Sequence, residues 1–393
     1  KNDYKISLSE CGILGFIAIV FISLFFNFFI KISPIITNLS FVMPFISLYL
    51  IRYKITKIST LKFFNFNIYV AIIVLLFLAY SNVYRPDSGW YHLPYVKIIN
   101  EFKIIIGITS LHSMFGAISV MQYISAFYNN FIFEDIGITL PLALMPSYFI
   151  LFFFQKFNLK EPSALKKIFL FSVISYFFLE MNRYSDYGND NPAHLYFFYL
   201  VFLILDKNKK YNFNIFFKKI SLISIFCFLN KPFLIFSLLF PIYFYLKHKI
   251  FKSLSSYPLF AIFFLSLWLI KNTLVSGCAL YPINVTCFNS LSWYSSEAKF
   301  QISARNVSQL SELHAKGWGD ILKGNYINYQ NKFDEKKIFL SNFNWLDASW
   351  IKYGSHSIVK KINIFLLYLS VVFLVLKISS RTIKTNIFIT AKR

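Results

Sequence analysis

Residues 66–92 read FNIYVAIIVLLFLAYSNVYRPDSGWYH and contain the transition that decides the fold. Their first part is an apolar run that, as a helix rising about 1.5 Å per residue, crosses most of the roughly 30 Å hydrocarbon core of a bilayer. The run ends in a polar segment that opens with Asp87 and continues with aromatic residues. This order predicts a transmembrane helix followed by a segment at the membrane surface.

The composition extends this prediction to the whole chain. The 393 residues are 57% hydrophobic, 21% aromatic and only 15% charged, which is far from the balance of a soluble domain. The chain carries 40 Lys and Arg against 17 Asp and Glu. These basic residues form short clusters between apolar runs, whereas a nucleic-acid binder needs a basic face on a polar fold. We therefore expect membrane lipids, and no nucleic acid, as partners.

Apolar runs recur along the chain and predict about ten transmembrane helices, hence an all-α polytopic membrane protein. The runs lie at 10–31, 34–51, 66–84, 136–155, 166–182, 192–206, 215–230, 232–247, 257–275 and 361–377. They suggest three parts, which are a transmembrane module at 1–275, an outer (periplasmic) region at 276–360, and a last transmembrane helix with a basic cytoplasmic tail at 361–393.

Basic clusters between the runs predict the orientation. They lie at 52–62, 156–167, 207–219, 247–252 and 377–384. If the runs alternate across the membrane, all of these clusters fall on one side, which the positive-inside rule makes cytoplasmic. The alternation requires that 112–133 does not cross, so we predict interfacial helices in an outer loop at 85–135. The predicted location is the bacterial cytoplasmic (inner) membrane, with the active face periplasmic or extracellular.

Acidic residues are few, so their positions are informative. Asp87 follows the third run, where a carboxylate can deprotonate a hydroxyl or hold a divalent cation such as Mg²⁺ or Mn²⁺. It can equally cap the helix that follows. Asp186 and Asp190 lie in the short outer loop at 183–191, where Asp190 can also serve as a turn or cap residue. Two acidic loops on one face can converge on one metal or one acceptor hydroxyl.

Two lysines interrupt apolar segments at the predicted outer face. Lys231 lies in the short turn between the runs at 215–230 and 232–247, and Lys271 lies near the outer end of the run at 257–275. Each side chain can simply extend into the lipid headgroups, or it can bind a lipid phosphate as a point charge. Because charge within a span is costly, the functional alternative stands as a hypothesis for both lysines.

Histidines and cysteines also gather on the predicted outer side. The outer histidines are His92, His112, His194, His314 and His356. They lack the spacing of a zinc motif, so the sequence leaves the use of a metal open. Cys278 and Cys287 both lie where an oxidising compartment permits a disulfide. The chain has no glycine-rich nucleotide motif and no GlyXSerXGly element, which argues against a nucleotide-driven pump and against a hydrolase of that type.

The order of these features resembles the GT-C superfamily of membrane glycosyltransferases, which use polyprenyl-phosphate sugars. In that superfamily a span leads into a long first outer loop that opens with a catalytic Asp and contains two juxtamembrane helices, and Asp87 with 88–133 resembles that loop. AsnLysPro at 230–232 is similar to a Lys-Gly-Pro turn of many members. The stretch WLIKNTLVSGCALYP at 268–282 closely resembles a Trp-x-x-Arg-Asn…Ser-Gly-x-Pro-x-Tyr-Pro element of bacterial surface-polysaccharide members, with Lys271 in the Arg position.

The resemblance implies an inverting transfer of a sugar from a polyprenyl-phosphate-linked donor to a glycan or lipid-linked acceptor on the outer face. Asp87 would be the general base, and Asp190, with Asp186, would orient the acceptor or a divalent ion. Lys231 and Lys271 would neutralise the donor phosphate as it leaves. The side chains expected to contact the substrates are Trp90, Tyr91, His92, His112 and His194.

Other functions share parts of this pattern. A polymerase of O-antigen or capsule repeats would use the same type of donor on the same face, and the sequence leaves it open beside the single-sugar transferase. A flippase or transporter of lipid-linked sugars would move its substrate without bond chemistry. Transporters usually have internal repeats and charges at mid-membrane depth, whereas the polar residues here gather at one surface. The resemblance to the GT-C superfamily covers roughly 66–282.

Overall fold

A computed structural model describes residues 7–55, 66–81, 87–158, 163–185, 187–206, 213–247 and 259–294. Within these ranges the chain is helical, and the β-pairing is limited to an isolated bridge between Cys278 and Cys287. The predicted all-α class is therefore confirmed for the described part. These ranges belong to one compact unit, Lys1–Tyr294. The predictions for 295–360, for the last run and for the basic tail lie outside the described residues.

Twelve α-helices make up the described part. They are α1 (Leu8–Asn27), α2 (Pro34–Ile55), α3 (Phe66–Tyr80), α4 (Leu93–Glu101), α5 (Met121–Tyr128), α6 (Ile136–Phe157), α7 (Ala164–Leu179), α8 (Met181–Tyr184), α9 (Asp190–Leu205), α10 (Phe213–Asn230), α11 (Leu239–Lys247) and α12 (Leu259–Ser276). A π-turn at Ser88–His92 precedes α4, and short 3₁₀ turns lie at Ile108–Ser110, Ser113–Ala117, Pro232–Leu238 and Asn284–Thr286.

Each apolar run predicted before residue 276 coincides with a helix. Among the described helices, α1, α6, α10 and α12 are long and apolar enough to cross a membrane, and α3, α9 and the stretch Pro232–Lys247 are shorter apolar helices. Exposed apolar side chains on α3 include Ile73, Leu76 and Phe77. These helices are compatible with a membrane protein.

The sequence also explains where individual helices begin and bend. Ser7 and Glu10 form a reciprocal capping box, which starts α1 at Leu8. The run predicted at 232–247 is one segment but not one regular helix, because its first half is 3₁₀ and Leu234 departs from helical geometry. Pro241 lacks the N–H that a regular helix would bond to the carbonyl of Ser237, which suits its place in the first turn of α11.

Hydrogen bonds and ion pairs between helices show which helix termini lie at the same end of the bundle. We call one end the loop end and the other the basic end. At the loop end, Asn27 Nδ2 donates to the Phe102 carbonyl at 3.1 Å, and Asn189 Nδ2 donates to the Asn230 carbonyl at 2.9 Å. At the basic end, Asn158 Nδ2 donates to Asn67 Oδ1 at 2.8 Å. Ion pairs at the basic end join Lys219 to Glu10 and Lys166 to Asp206.

The residues found at each end of the bundle agree with the alternating direction of the helices that the predicted orientation requires. The described parts of the predicted outer segments lie at the loop end, and Lys156, Lys166 and Lys219 of the predicted cytoplasmic clusters lie at the basic end. Helix α5 has 8 residues, so it is about 12 Å long and too short to cross a bilayer. The stretch 112–133 therefore stays at the loop end.

Aromatic side chains fill the core between the helices. The ring of Tyr196 lies 4.9 Å from that of Phe149 and 4.4 Å from that of Phe226, which joins α6, α9 and α10. The Tyr196 hydroxyl donates to the Ile13 carbonyl of α1 at 2.6 Å. This buried tyrosine thus fixes the N-terminal helix against the bundle and satisfies its own polar group.

Candidate functional site

Asp87 lies at the loop end, directly before the π-turn. Its backbone is in the right-handed helical region and its side chain makes no capping hydrogen bond. The residue is exposed, and no described residue pairs with its carboxylate. The alternative that Asp87 caps the following helix is therefore not supported, because the capping hydrogen bond is not formed. An unpaired, exposed carboxylate is free to accept a proton from a ligand.

The π-turn fixes the position of the residues after Asp87. The backbone N–H of Leu93 donates to the Ser88 carbonyl, five residues earlier. The buried Ser88 hydroxyl donates to the Tyr187 carbonyl at 3.1 Å, which ties the turn to the loop before α9. Single π-turns of this kind occur mostly at functional sites. The turn therefore brings the segment after Asp87 against the second acidic loop.

Asp190 is the first residue of α9 and forms an ion pair with Lys231. Lys231 Nζ donates to Asp190 Oδ1, and the two side chains are 34% and 37% exposed. The adjacent hydrogen bond from Asn189 to the Asn230 carbonyl holds the same two turns together. Asp190 therefore already offsets the positive charge with which Lys231 was predicted to bind a phosphate. At this exposure the pair itself contributes little to stability.

Tyr91 lies between the two acidic loops. Burial, and after it the negative charges of Asp87 and Asp190, raise the pKa of the Tyr91 hydroxyl to about 12. The charges of both carboxylates therefore reach the same hydroxyl, although the two residues are far apart in the sequence. We name Asp87, Tyr91, His92, Asp190 and Lys231 the carboxylate cluster. Asp186, which was predicted to share in this site, lies outside the described residues.

His92 is the buried member of the carboxylate cluster, with 4% of its surface exposed. Its Nδ1 accepts a hydrogen bond from Gln122 Nε2, and Gln122 Oε1 accepts one from the Ser119 hydroxyl at 3.0 Å. Burial lowers the pKa of His92 to about 4, although the charge of Asp190 acts in the opposite direction. The imidazole is therefore neutral near pH 7.

The other predicted substrate contacts differ in their surroundings. Trp90 is 65% exposed, and its ring meets the edge of the His112 ring at 5.8 Å between centroids. His112 Nδ1 accepts a hydrogen bond from the Met114 amide at 3.3 Å, so this residue also caps the turn Ser113–Ala117. His194 is half-buried and lies one helical turn after Asp190 in α9. Trp90 and His112 thus form an aromatic rim beside the cluster.

Lys271 lies inside the bundle and is completely buried. Its Nζ donates to the Ile118 carbonyl at 3.5 Å and lies 5.8 Å from the centroid of the Trp268 ring. No carboxylate of the described residues pairs with it. Burying an unpaired cation is costly, and lysines are almost never fully buried without a partner. Lys271 is therefore the stronger of the two predicted anion-binding lysines.

The segment 118–122 contacts Lys271, His92 and the turn that carries Lys231. Its Ile118 carbonyl receives Lys271, its Gln122 side chain holds His92, and its Val120 amide donates to the Leu229 carbonyl at 3.4 Å, next to the turn of Lys231. Sequence reasoning missed Ser119 and Gln122 because they lie in a stretch predicted only as interfacial. Their spacing, Ser-x-x-Gln, is itself a signal of a helix start with paired side chains.

An open cleft of about 870 Å³ lies beside the carboxylate cluster. It runs along one face of the π-turn and α4, where Gly89, Leu93, Lys97 and Glu101 follow at intervals of four residues. Lys31, Phe131 and Asp135 contribute from neighbouring segments. The mixture of charged, polar and apolar groups suits an amphiphilic ligand. Gly89 places one end of the cleft two residues from Asp87.

The segment after α12 covers part of the loop end. Cys278 and Cys287 form a disulfide with an S–S distance of 2.02 Å. The Thr109 hydroxyl donates to the Val275 carbonyl at 3.1 Å, and Trp293 Nε1 donates to the Thr273 carbonyl at 3.0 Å. Residues 277–294, the described start of the predicted outer region, are thereby held against α12, and their Tyr281 and Trp293 side chains lie against Gly116 and Gly107 of the outer loop.

The fit of a divalent cation is limited by the available ligands. Asp87 and Asp190 supply carboxylates, but the described ranges contain no group of three or more His, Cys, Asp or Glu that could hold a metal ion. Asp190 is in addition paired with Lys231. No step below is therefore derived through a metal.

Comparison with known proteins defines the family of the chain but not its activity. No curated protein and no solved structure matches the chain. A family model described as a domain of unknown function (DUF8201) matches residues 1–391, and the chain therefore belongs to that family.

Proposed function

We propose that the chain is a membrane glycosyltransferase of the GT-C type, which transfers a sugar from a polyprenyl-phosphate-linked donor to a glycan or lipid-linked acceptor. The observation that carries this proposal is the carboxylate cluster, in which Asp87 has no partner among the described residues, Asp190 pairs with Lys231, and the charges of both aspartates act on Tyr91. A base next to a positioned acceptor hydroxyl is what sugar transfer requires. The resemblance of Asp87 and of residues 268–282 to GT-C motifs supports the same assignment.

Asp87 is the general base in the proposed reaction. Its carboxylate takes the proton of the acceptor hydroxyl while the acceptor oxygen forms a bond to the anomeric carbon of the donor sugar. The bond from that carbon to the phosphate oxygen breaks, and the electron pair leaves with the phosphate. Because the acceptor attacks opposite the leaving phosphate, the anomeric configuration inverts. The cleft along α4 brings the acceptor towards Asp87 from the side of Gly89.

Lys271 is the first candidate for the charge that receives the phosphate. It is buried and lacks an acidic partner among the described residues, so no carboxylate of the described part competes with an anion for it. Negative charge on the phosphate oxygen grows as the glycosidic bond breaks, and a fixed cation in a dry site stabilises that growth. Lys231 orients Asp190 through their ion pair, and Asp190 in turn positions the acceptor.

The loop end faces the outer side of the bacterial cytoplasmic membrane in this proposal, and the chain is a multi-pass protein of about ten spans. The basic residues at the other end support this orientation, because cytoplasmic segments carry an excess of Lys and Arg. A surface-polysaccharide pathway supplies both lipid-linked substrates on that face. The acceptor is consequently a glycan or a lipid-linked saccharide.

The test is sugar transfer by purified full-length protein. A panel of decaprenyl-phosphate hexoses is offered with bacterial lipid-linked acceptors, and products are identified by mass spectrometry. Addition of one hexose supports the proposal. Products that grow only from diphosphate-linked oligosaccharides, by whole repeats, select the polymerase instead. Movement of a lipid-linked sugar across proteoliposomes without any product selects the flippase.

A further inference from the structure

His92 has one ring nitrogen that the protein has paired and one that it has not. Nδ1 accepts the hydrogen bond from Gln122, whereas Nε2 has no hydrogen-bond partner among the described residues. Only 4% of the surface of His92 is exposed. Nε2 is therefore the nitrogen of this side chain that is available to a ligand.

Gln122 is itself held in one orientation. The Ser119 hydroxyl donates to Gln122 Oε1 at 3.0 Å and accepts from the Met121 amide at 3.1 Å. Gln122 Oε1 is thus occupied, so the amide presents its N–H₂ group to His92. A neutral imidazole has one donor and one acceptor nitrogen. Because Nδ1 accepts the hydrogen bond of the Gln122 amide, the ring proton lies on Nε2. The series of hydrogen bonds from Ser119 through Gln122 to His92 is a relay that sets one tautomer of the imidazole.

The surroundings of His92 decide what its Nε2–H can meet. The ring lies 4.1 Å from that of Tyr91 and 6.0 Å from that of Tyr187, between centroids, and the negative charge of Asp190 acts on it. A neutral donor beside a carboxylate does not suit a second anion such as phosphate, since the carboxylate repels it. It suits an uncharged oxygen, and a sugar hydroxyl is such an acceptor.

We propose that Gln122 is a positioning residue that holds His92 as a neutral Nε2–H donor, and that this donor binds one hydroxyl of the transferred sugar and so determines which sugar is accepted. This inference rests on the proposed function. It assigns discrimination to a hydrogen bond in a buried site, where a substrate lacking the matched hydroxyl leaves the protein donor unpaired. The charged groups, Asp87 and Lys271, act on the acceptor and the phosphate instead.

The tautomer is measured first, in the full-length protein in detergent with ¹⁵N-labelled histidine. His92→Gln identifies the signal of His92 among the histidines. Wild-type protein is expected to carry the proton on Nε2. Gln122→Glu places an acceptor at Nδ1 and is expected to move the proton to Nδ1, while Ser125→Ala, which removes a buried hydroxyl from the same helix, is expected to change nothing. An Nδ1–H tautomer or an imidazolium in the wild type overturns the inference.

Specificity is measured next, with decaprenyl-phosphate glucose, galactose and mannose and their monodeoxy forms. Gln122→Glu is expected to lower kcat/KM about tenfold for the best donor, the effect of one hydrogen bond, and to leave unchanged the analogue that lacks the recognised hydroxyl. An equal loss for the parent donor and for all its monodeoxy forms overturns the role in specificity. Absence of transfer by the wild type with every donor contradicts the proposed function, whereas the tautomer measurement still decides the relay.

Discussion

The residues of the candidate site divide into exposed groups that can meet ligands and buried groups that set their chemistry. Asp87 and Trp90 are exposed, whereas His92 and Lys271 are buried. Spacing in the sequence singled out Asp87, Asp190 and the two lysines, because acidic and basic residues are rare in apolar surroundings. It did not reveal that Lys231 pairs with Asp190, since that contact depends on how the ends of α9 and α10 pack together.

Burial of His92 predicts a pH dependence of stability. The pKa of His92 in the folded protein is about 4, below the value of about 6.5 for an exposed histidine. Between these values the unfolded chain binds a proton that the folded chain does not, so stability falls as pH is lowered from 6.5 to 4. We expect His92→Gln to lose less stability over this range, by on the order of 3 kcal/mol, in thermal unfolding at graded pH. Parallel pH curves for the two proteins would contradict the buried neutral imidazole.

Lys271→Met separates folding from anion binding. Methionine has a similar length and no charge, so we expect stability to be unchanged or raised, as when other buried charges are replaced by apolar side chains. We expect donor use to weaken by about tenfold to a hundredfold, the effect of losing a hydrogen bond to a charged group. Lys103→Met, at an exposed lysine of the loop end, is the control. Normal kinetics for Lys271→Met would remove it from the phosphate site.

At the scale of elements, the loop end is a set of short helices fixed against the longer ones. Gly107 and Gly277 have φ values of 68° and 77°, which glycine adopts without strain. Both allow the loop of 107–117 and the segment 277–294 to pack closely. The long helices could be predicted because each apolar run is continuous, but the π-turn and the 3₁₀ stretch at Pro232–Leu238 could not, since their hydropathy is the same as that of a regular helix.

The junction of α5 and α6 depends on a glycine. A Cβ at Gly137 would lie 1.9 Å from the Tyr128 carbonyl oxygen, whereas a Cβ at Gly15 in α1 would meet no atom within 4 Å. We expect Gly137→Ala to destabilise the protein by at least about 2 kcal/mol, because backbone must move to admit the methyl group. Gly15→Ala is expected to raise stability by up to about 1 kcal/mol. Thermal unfolding of both variants decides this, and equal behaviour would contradict the close approach.

At the scale of the whole molecule, charge and hydropathy act together. The net charge of +23 is carried in part by lysines at the basic end, and the polar candidate residues lie at the loop end. Hydropathy predicts the helices, and the alternation of charge predicts which loops share an end, so topology alone predicts that Asp87 and Asp190 lie at the same end. The relay through Gln122 did not, because neutral polar residues leave no signal in either pattern.

The orientation is tested by labelling single cysteines in intact cells. Ser110 at the loop end and Ser163 at the start of α7 are both exposed, and Cys11 and Cys227 are first replaced by Ser while the disulfide is retained. We expect an impermeant maleimide to label Ser110→Cys and to leave Ser163→Cys unlabelled until the membrane is permeabilised. The reverse pattern would place the carboxylate cluster in the cytoplasm.

The measurement closest to the central claim is the rate of sugar transfer by Asp87→Asn. Because the Asp87 side chain makes no capping bond, the amide should leave membrane expression and thermal unfolding as in the wild type. Without a base the rate is expected to fall by at least about a hundredfold. Glu180→Gln, which also changes a carboxylate to an amide at the loop end, should transfer normally. Wild-type turnover by Asp87→Asn would contradict general-base catalysis at this site.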